Sequence, residues 1–137
     1  MARYLLDTNI VLFSLFNHDE LENEVSCLLD DYNNLLFVST ISVQEIIHLY
    51  KKNRIKTNWK NAEDIVPSIE SANIKILPVT NEHLMAFARL TVTAKHNDPN
   101  DQIIISQAIT EKYTLISSDQ KFESYTKQRL NFIFNCR

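Results

Sequence analysis

Short apolar runs alternate along the chain with longer segments of helical pattern, and nothing else in the sequence restricts the possible folds as strongly. Strands are predicted at Arg3–Leu6, Leu35–Ser39, Ile74–Leu77 and Thr114–Ser117, with a fifth at 131–135 along one edge. Helices are predicted between them at 20–31, 41–53, 62–71, 82–95 and 101–111. Strands that alternate with helices form parallel sheets covered on both faces. We therefore predict an α/β fold, a three-layer α/β/α sandwich with a mostly parallel central sheet of four or five strands, formed by residues 1–137 as a single domain.

The chain contains no glycine. Phosphate-binding loops, dinucleotide-binding fingerprints and the nucleophile elbow of α/β-hydrolases all depend on glycine, so these sites are excluded. Asparagine tolerates the left-handed backbone conformation better than most other residues. Turns with positive φ are therefore expected at Asn33, Asn34, Asn53, Asn58 and Asn97.

Composition is that of a soluble globular protein, with 45% hydrophobic and 23% charged residues. Asp7 and Asn9 interrupt the N-terminal apolar run before it reaches the length of a signal peptide, and no span of about 20 apolar residues exists. No membrane association is expected. Cys27 and Cys136 lie far apart without metal-ligand spacing, which favours free thiols and a reducing, cytoplasmic location.

The basic residues of the chain are concentrated in one segment. The net charge of −3 argues against binding of nucleic acid by overall attraction, but not against a local basic strip. Residues 51–60 contain five cations and no acid: Lys51, Lys52, Arg54, Lys56 and Lys60. With Tyr50 and Trp59 available for stacking, this segment is a candidate RNA-binding surface, and a solvated helix end is the alternative interpretation.

Four carboxylates fall where parallel α/β sheets place their ligand sites. Asp7 closes the first strand and Asp119 follows the fourth, and ligands bind at the carboxyl ends of such strands. Asp101 opens a helix on its core-facing stripe, and Glu45 borders the apolar face of helix 41–53. Four acids at one edge repel by roughly 3 kcal/mol per pair at ~5 Å and an effective dielectric constant of about 20. Such a cluster needs a cation or a shared proton.

Helix capping offers a structural interpretation of several of these residues. Any of Asp7, Thr8 and Asn9 can cap a following helix. Asp98, with proline next and an acid three residues on, has the form of a helix start, and capping is its favoured interpretation. Capping explains the acidic type of Asp101 but not its place on the buried stripe.

Three further polar residues have ordinary alternatives. Glu45 by itself is typical of a half-exposed helix position, and Asp119 is typical of a turn. His96 precedes a helix start, where a loop histidine is usually structural, so it is not assigned to the catalytic set.

Taken together and in order, these segments resemble the motifs of the PIN-domain family, and most closely those of VapC-like toxins of type II toxin–antitoxin pairs. The resemblance spans nearly the whole chain and is carried by four stretches: LLDTN at 5–9, STISVQE at 39–45, HNDPNDQIIISQA at 96–108 and LISSDQKF at 115–122.

The resemblance implies a Mg²⁺- or Mn²⁺-dependent endoribonuclease that hydrolyses RNA phosphodiester bonds. Asp7, Glu45, Asp101 and Asp119 fall at the positions of the family's acidic site. The supporting polar positions are Thr8, Asn9, Ser118 and Asp98. Many of these toxins have an aromatic residue and an arginine where this chain has Asn100 and Gln102, so its handling of substrate is expected to differ.

The chemistry of the four acids agrees with a hard cation, since oxygen ligands suit Mg²⁺ and Mn²⁺ and no Cys/His cluster suggests zinc. Asp7 and Asp101 are the expected direct ligands. Glu45 and Asp119 are expected to bind through water or to hold a second ion, and either can accept the proton of the attacking water.

The same resemblance implies a small antitoxin protein as partner, and a homodimer is also expected. The antitoxin would insert an arginine or lysine among the four acids and lay an apolar segment against helices 41–53 and 62–71.

Of three alternative classes of protein, the first two require residues that this sequence lacks. A haloacid-dehalogenase-type phosphatase requires a second aspartate at position 9, which is Asn9, and a receiver domain requires adjacent early acids and a late lysine at other spacings. A catalytically silent PIN-like module that binds RNA or protein is the third alternative. Weak cation binding without RNA cleavage would favour it.

Overall fold

A computed structural model of the protein describes residues 2–93 and 96–137. It has one five-stranded sheet of order β3-β2-β1-β4-β5, in which every neighbouring pair is parallel. The strands are β1 Arg3–Leu6, β2 Leu35–Ser39, β3 Ile74–Leu77, β4 Thr114–Ser117 and β5 Asn131–Phe134. The first four strands have the predicted bounds, and the fifth ends one residue earlier than predicted. The parallel sheet is thereby confirmed.

Helices cover both faces of this sheet. They are α1 Thr8–Phe16, α2 Asn23–Asp30, α3 Thr40–Lys51, α4 Ile65–Ser71, α5 Asn81–Arg89 and α6 Pro99–Glu111. Three 3-10 helices accompany them, at His18–Glu20, Ala62–Asp64 and Gln120–Gln128. None of the helices in the described ranges has both the length and the apolar character of a membrane span.

The predicted helices differ from the observed ones mainly at their ends. Helix 20–31 was expected to start three residues before α2 does, and 62–71 begins with a 3-10 turn before α4. Helix 82–95 corresponds to α5, which ends at Arg89, and the end predicted at Lys95 lies outside the described residues. Helix α1 and the 3-10 helix Gln120–Gln128 were not predicted.

Two apolar clusters, one on each face, hold the three layers together. Successive residues of a strand point to opposite faces, so Leu6 packs with Ile10 and Ile46 in one cluster while Leu5 packs with Ile105 in the other. Both leucines are fully buried. The central strand β1 is therefore covered on both sides, as the predicted three-layer sandwich requires.

Positive φ angles fall at different residues from those expected. Of the five predicted asparagines, only Asn53 has one, and among the described residues Asn73, Lys112 and Arg129 have the others. Lys112 and Arg129 end α6 and the last 3-10 helix in the left-handed conformation that glycine usually provides there. In a chain without glycine, each of these two side chains bears a cost of roughly 1 kcal/mol. Cys27 and Cys136 are free and exposed, as expected.

Candidate active site

At the carboxyl edge of the sheet, the place for a ligand-binding crevice lies between β1 and β4. These strands are neighbours, but the chain passes from β1 toward β2 and from β4 toward β5, so the connections diverge there. Parallel α/β sheets bind their ligands at such a switch point. Asp7 follows β1 directly, and Asp119 comes two residues after β4.

The Asp7 carboxylate is buried at this crevice, with 9% of the residue exposed. The Thr8 backbone N–H donates to its Oδ1 at 2.9 Å, and the Ser117 hydroxyl donates to its Oδ2 at 2.7 Å. Burial raises the pKa of Asp7 to about 6, with repulsion from Asp101 and Glu45 adding to the shift and the two hydrogen bonds opposing it. Asp7 is also the N-cap of α1, so its capping interpretation is confirmed, and its role as a ligand stays a prediction.

The Asp101 carboxylate lies in the first turn of α6 and contacts a buried histidine. Its Oδ2 is 3.2 Å from Nε2 of His96, whose side chain is 3% exposed. Burial raises the pKa of Asp101, the His96 hydrogen bond opposes that shift, and the charges of Asp98 and Glu45 add to it. Sequence reasoning set His96 aside, whereas the structure brings it into the site.

Glu45 lies on α3 and is partly exposed. Its charge contributes to the raised pKa values of both Asp7 and Asp101, which places the three carboxylates within electrostatic reach of one another. Glu45 also lines a groove of about 410 Å³ together with His48, Lys51 and other residues of α3. Asn100, at the start of α6, lies across this groove.

Asp119 occupies a neighbouring position instead of joining this group of three. Its Oδ1 accepts the Lys121 backbone N–H at 2.9 Å, which makes it the N-cap of the last 3-10 helix. Its own backbone N–H donates at 3.0 Å to the Ser117 hydroxyl that bonds Asp7. Asp119 lines a cavity of about 580 Å³ with Asn9 and Arg137. Ser117 therefore connects Asp119 to the acidic group.

The predicted supporting residues have separate roles. Thr8 is buried, and Asn9 is exposed beside Asp119. The Ser118 hydroxyl accepts a hydrogen bond from the Asn135 carboxamide at 2.9 Å. Asp98 is exposed and caps α6 by accepting the backbone N–H of residue 100 at 3.0 Å, so its capping interpretation is confirmed.

The sequence matches the family model of the PIN domain over residues 4–128. The chain belongs to the PIN domain family. The matched region extends from β1 to the end of the last 3-10 helix and contains all four acids. The predicted PIN-like fold is therefore confirmed. A comparison with curated protein sequences gives no match.

Solved structures with this PIN fold include chains of VapBC complexes. For VapBC2 from Rickettsia felis, bound to a DNA fragment from their promoter, the identity is 21%, the match covers 98% of this chain and 99% of the other, and the TM-score is 0.68. For DNA-bound VapBC from Salmonella typhimurium the identity is 17%, the match covers 99% of this chain and 100% of the other, and the TM-score is 0.70. VapBC-5 from Mycobacterium tuberculosis is a member of the VapBC family of toxin-antitoxin systems. Its identity is 18%, the match covers 98% of this chain and 99% of the other, and the TM-score is 0.63. At these identities the likeness establishes a shared fold.

Asn100 and Gln102, for which the resemblance implies a different handling of substrate, lie near the start of α6. Asn100 is exposed in the groove beside Glu45. Gln102 is 6% exposed, and its Nε2 donates at 2.9 Å to the backbone carbonyl of His96. The Gln102 side chain is therefore turned inward, where it holds the segment before α6.

The cations of the basic segment of this PIN domain are exposed, but the Trp59 ring is buried. Lys51, Lys52, Arg54, Lys56 and Lys60 are all exposed. The Trp59 ring is 9% exposed and packs against Phe16 with centroids 4.8 Å apart. The Tyr50 hydroxyl donates to the Trp59 carbonyl at 2.9 Å. The expected stacking role of Trp59 is therefore wrong, because its ring is buried, whereas that of the half-buried Tyr50 stays a prediction.

The described part of the chain brings few candidate metal ligands close together. Within residues 2–93 and 96–137, no three His, Cys, Asp or Glu side chains stand close enough to hold one metal ion. The oxygens of Asp7 and one oxygen of Asp101 accept hydrogen bonds from protein donors instead. The assignment of the metal ligands stays a prediction.

Asn135 is a polar residue near the site that sequence reasoning missed. It is fully buried after β5, and its Nδ2 donates to the Glu20 carbonyl and the Ser118 hydroxyl, both at 2.9 Å. Its Oδ1 accepts the Glu22 backbone N–H at 2.8 Å. The position of the segment after β4 thus depends on one carboxamide.

Asn135→Ala is expected to lower the free energy of unfolding by about 3 kcal/mol, because it leaves buried polar partners without hydrogen bonds. Urea denaturation of the wild type and the variant measures the change. Asn131→Ala, at the exposed start of β5, is the matched control and is expected to cost under about 0.5 kcal/mol. Equal costs for the two variants would show that the Asn135 contacts contribute nothing.

Proposed function

We propose that this PIN domain is a divalent-metal-dependent endoribonuclease and the toxin of a toxin–antitoxin pair. The observation that carries the proposal is the buried Asp7 carboxylate within electrostatic reach of Asp101 and Glu45 at the switch point of the sheet. Three acids in such a place destabilise one another unless a cation or protons neutralise them. Family membership supports nuclease chemistry at the same position.

The donor chemistry fits Mg²⁺ or Mn²⁺, since carboxylate oxygens are the ligands that these ions prefer. Asp7 and Asp101 are the proposed direct ligands, while Glu45 and Asp119 bind through water or hold a second ion. When bound, the cation supplies an activated water and neutralises charge on the phosphodiester. Mg²⁺ usually keeps several waters and takes only one or two carboxylates from the protein.

The residues of the chain then orient the Asp7 carboxylate and deprotonate the attacking water. The Ser117 hydroxyl and the Thr8 backbone N–H hold both oxygens of Asp7 in place. Glu45, partly exposed on the groove, is positioned to accept the proton of the attacking water. Asp119, anchored through Ser117, is the second candidate for that proton.

RNA is the proposed substrate because a basic segment begins at the groove. Lys51 lines the groove with Glu45, and the other cations of the segment follow it along the exposed loop. Phosphate groups bind such cations without sequence preference. The Coulombic contribution of the segment should make RNA affinity dependent on salt.

An antitoxin is the proposed partner because the solved structures with this fold include VapBC-5 from a toxin-antitoxin system. We place its contact on the groove beside Glu45, where Ile41 and Ile47 supply apolar surface for an amphipathic segment. A basic side chain of the partner would pair with the carboxylates. The groove lies between α3 and the start of α6, so α4, named from sequence as a second wall, does not line it.

Expression of the wild-type chain alone is expected to arrest growth, while coexpression with the product of a neighbouring gene yields an inactive complex that copurifies. Asp7→Asn should relieve the arrest without releasing the partner, because most of the contact area lies outside the acidic site. Colony counts after induction and affinity copurification measure the two effects. A wild-type chain that is harmless and binds no neighbouring product would remove the toxin assignment and leave the nuclease assignment open to test.

A catalytically silent binding module is the second candidate, and one observation favours it. Both Asp7 oxygens already accept hydrogen bonds from the protein, so the metal-free arrangement is satisfied without a cation. Calorimetric titration with Mn²⁺ separates the candidates. Saturable binding supports the nuclease, and its absence supports the silent module.

A further inference from the structure

A line of hydrogen bonds runs from the interior of the protein to the Asp101 carboxylate. The Tyr125 hydroxyl is 3.1 Å from Nδ1 of His96, and Nε2 of His96 is 3.2 Å from Oδ2 of Asp101. Tyr125 is fully buried and His96 is 2% exposed. The imidazole is also enclosed by the ring of Phe122, with centroids 5.6 Å apart. It therefore has little freedom to turn.

The donors and acceptors of this line can be assigned from its ends. The Thr93 backbone N–H can only donate, and it donates to the Tyr125 oxygen at 3.3 Å. The Tyr125 hydroxyl then has its hydrogen available for Nδ1 of His96. An ionised Asp101 can only accept, so Nε2 of His96 is the nitrogen that carries the proton toward it.

The backbone of His96 is fixed as firmly as its ring. The Gln102 carboxamide donates to the His96 carbonyl at 2.9 Å from one turn inside α6. The Gln102 carbonyl in turn accepts the Ser106 hydroxyl at 2.8 Å. The buried Gln102 side chain therefore supports the main chain of the histidine.

We propose that His96 is a positioning residue for Asp101, a role that rests on the proposed metal-dependent nuclease function. By donating to Oδ2, His96 fixes the plane of the carboxylate and leaves Oδ1 as the atom offered to a divalent cation. Tyr125 selects the tautomer of His96, and Gln102 holds its main chain. Hydrogen bonds of this kind to metal ligands typically change metal affinity by about 10- to 100-fold.

Mn²⁺ binding to the purified full-length chain, measured by calorimetry, tests this role. His96→Leu is expected to weaken Mn²⁺ binding by about 10-fold or more, with a lower kcat on RNA and an unchanged KM. His96→Gln keeps an N–H donor and is expected to recover part of the affinity. Tyr125→Phe keeps both rings but removes the hydroxyl that orients the imidazole, so it is expected to weaken binding less than His96→Leu does.

His83→Leu is the matched control. His83 is also fully buried with a carboxylate partner, Glu111, at 2.7 Å, but it joins α5 to the far end of α6. Its loss should lower stability and leave Mn²⁺ affinity within about twofold of the wild type.

The outcomes separate this role from the proposed function. A wild-type chain that binds no Mn²⁺ would overturn the proposed function and this role with it. Binding in the wild type that is unchanged in His96→Leu or, if that variant does not fold, in Tyr125→Phe would overturn the positioning role alone. An equal loss in His83→Leu would also overturn it, since the effect would then follow stability.

Discussion

Replacing Asp7 or Asp101 with asparagine is expected to lower the rate of RNA cleavage by about 10³-fold while the chain stays folded. Loss of a metal ligand removes several kcal/mol of transition-state stabilisation, and each 1.36 kcal/mol corresponds to about tenfold in rate. Asparagine has nearly the same shape as aspartate and can still accept one hydrogen bond at each position. Cleavage of a labelled RNA under single-turnover conditions measures the loss, and circular dichroism checks the fold.

Asp98→Asn is the matched control for Asp101→Asn. Asp98 is exposed and caps the same helix, and asparagine is an equally good N-cap, so stability and cleavage should both stay near the wild-type values. If Asp98→Asn is as inactive as Asp101→Asn and both fold, the division between cap and ligand is wrong.

Asp7→Asn is expected to raise the free energy of unfolding of the metal-free protein by about 3 kcal/mol at pH 8. The folded-state pKa of Asp7 is raised to about 6 from 3.8, so the folded chain binds its proton more tightly than the unfolded chain does. The resulting stabilisation is fully present below pH 3.8 and is lost as pH rises through 6. A difference of about two between the folded and unfolded pKa values corresponds to roughly 3 kcal/mol in the free energy of unfolding. Burial shifts Asp101 in the same direction.

Urea denaturation between pH 4 and pH 8 measures this effect. The wild type should lose stability across that window, and the loss should be smaller in Asp7→Asn because asparagine does not titrate. A divalent cation should reverse the loss, since deprotonated carboxylates bind it and protonated ones do not. Mg²⁺ or Mn²⁺ should therefore raise the melting temperature more at pH 8 than at pH 5. Equal stabilisation at both pH values would contradict a carboxylate metal site.

The strands of this protein were predictable because the sheet is covered on both faces. Most of β1 and β2, the stretches YLL and LLFV, appears in the sequence as short, continuous apolar runs. Helix α1, in contrast, was not predicted. It is apolar on nearly every side, as Ile10, Val11 and Phe13 show, so it has no helical period to recognise.

The positions of two acids were also predictable, since chain order alone puts Asp7 and Asp119 at one edge of a parallel sheet. The tertiary contacts of the side chains were not predictable from the sequence. His96 reaches Asp101 because it is held by Tyr125, 29 residues further along the chain. Trp59 looked available to RNA because its neighbours are charged, yet it packs against Phe16. Both outcomes depend on tertiary packing, which a local pattern does not contain.

The central claim is that this PIN domain cleaves RNA with a cation held by its carboxylates. It is tested most directly by incubating the purified wild-type chain with cellular RNA in EDTA, and then adding Mg²⁺ or Mn²⁺ in excess. We predict intact RNA in EDTA and cleavage when either cation is restored, with Asp101→Asn inactive under both conditions. Cleavage that persists in EDTA, or that Asp101→Asn retains in full, would contradict the claim.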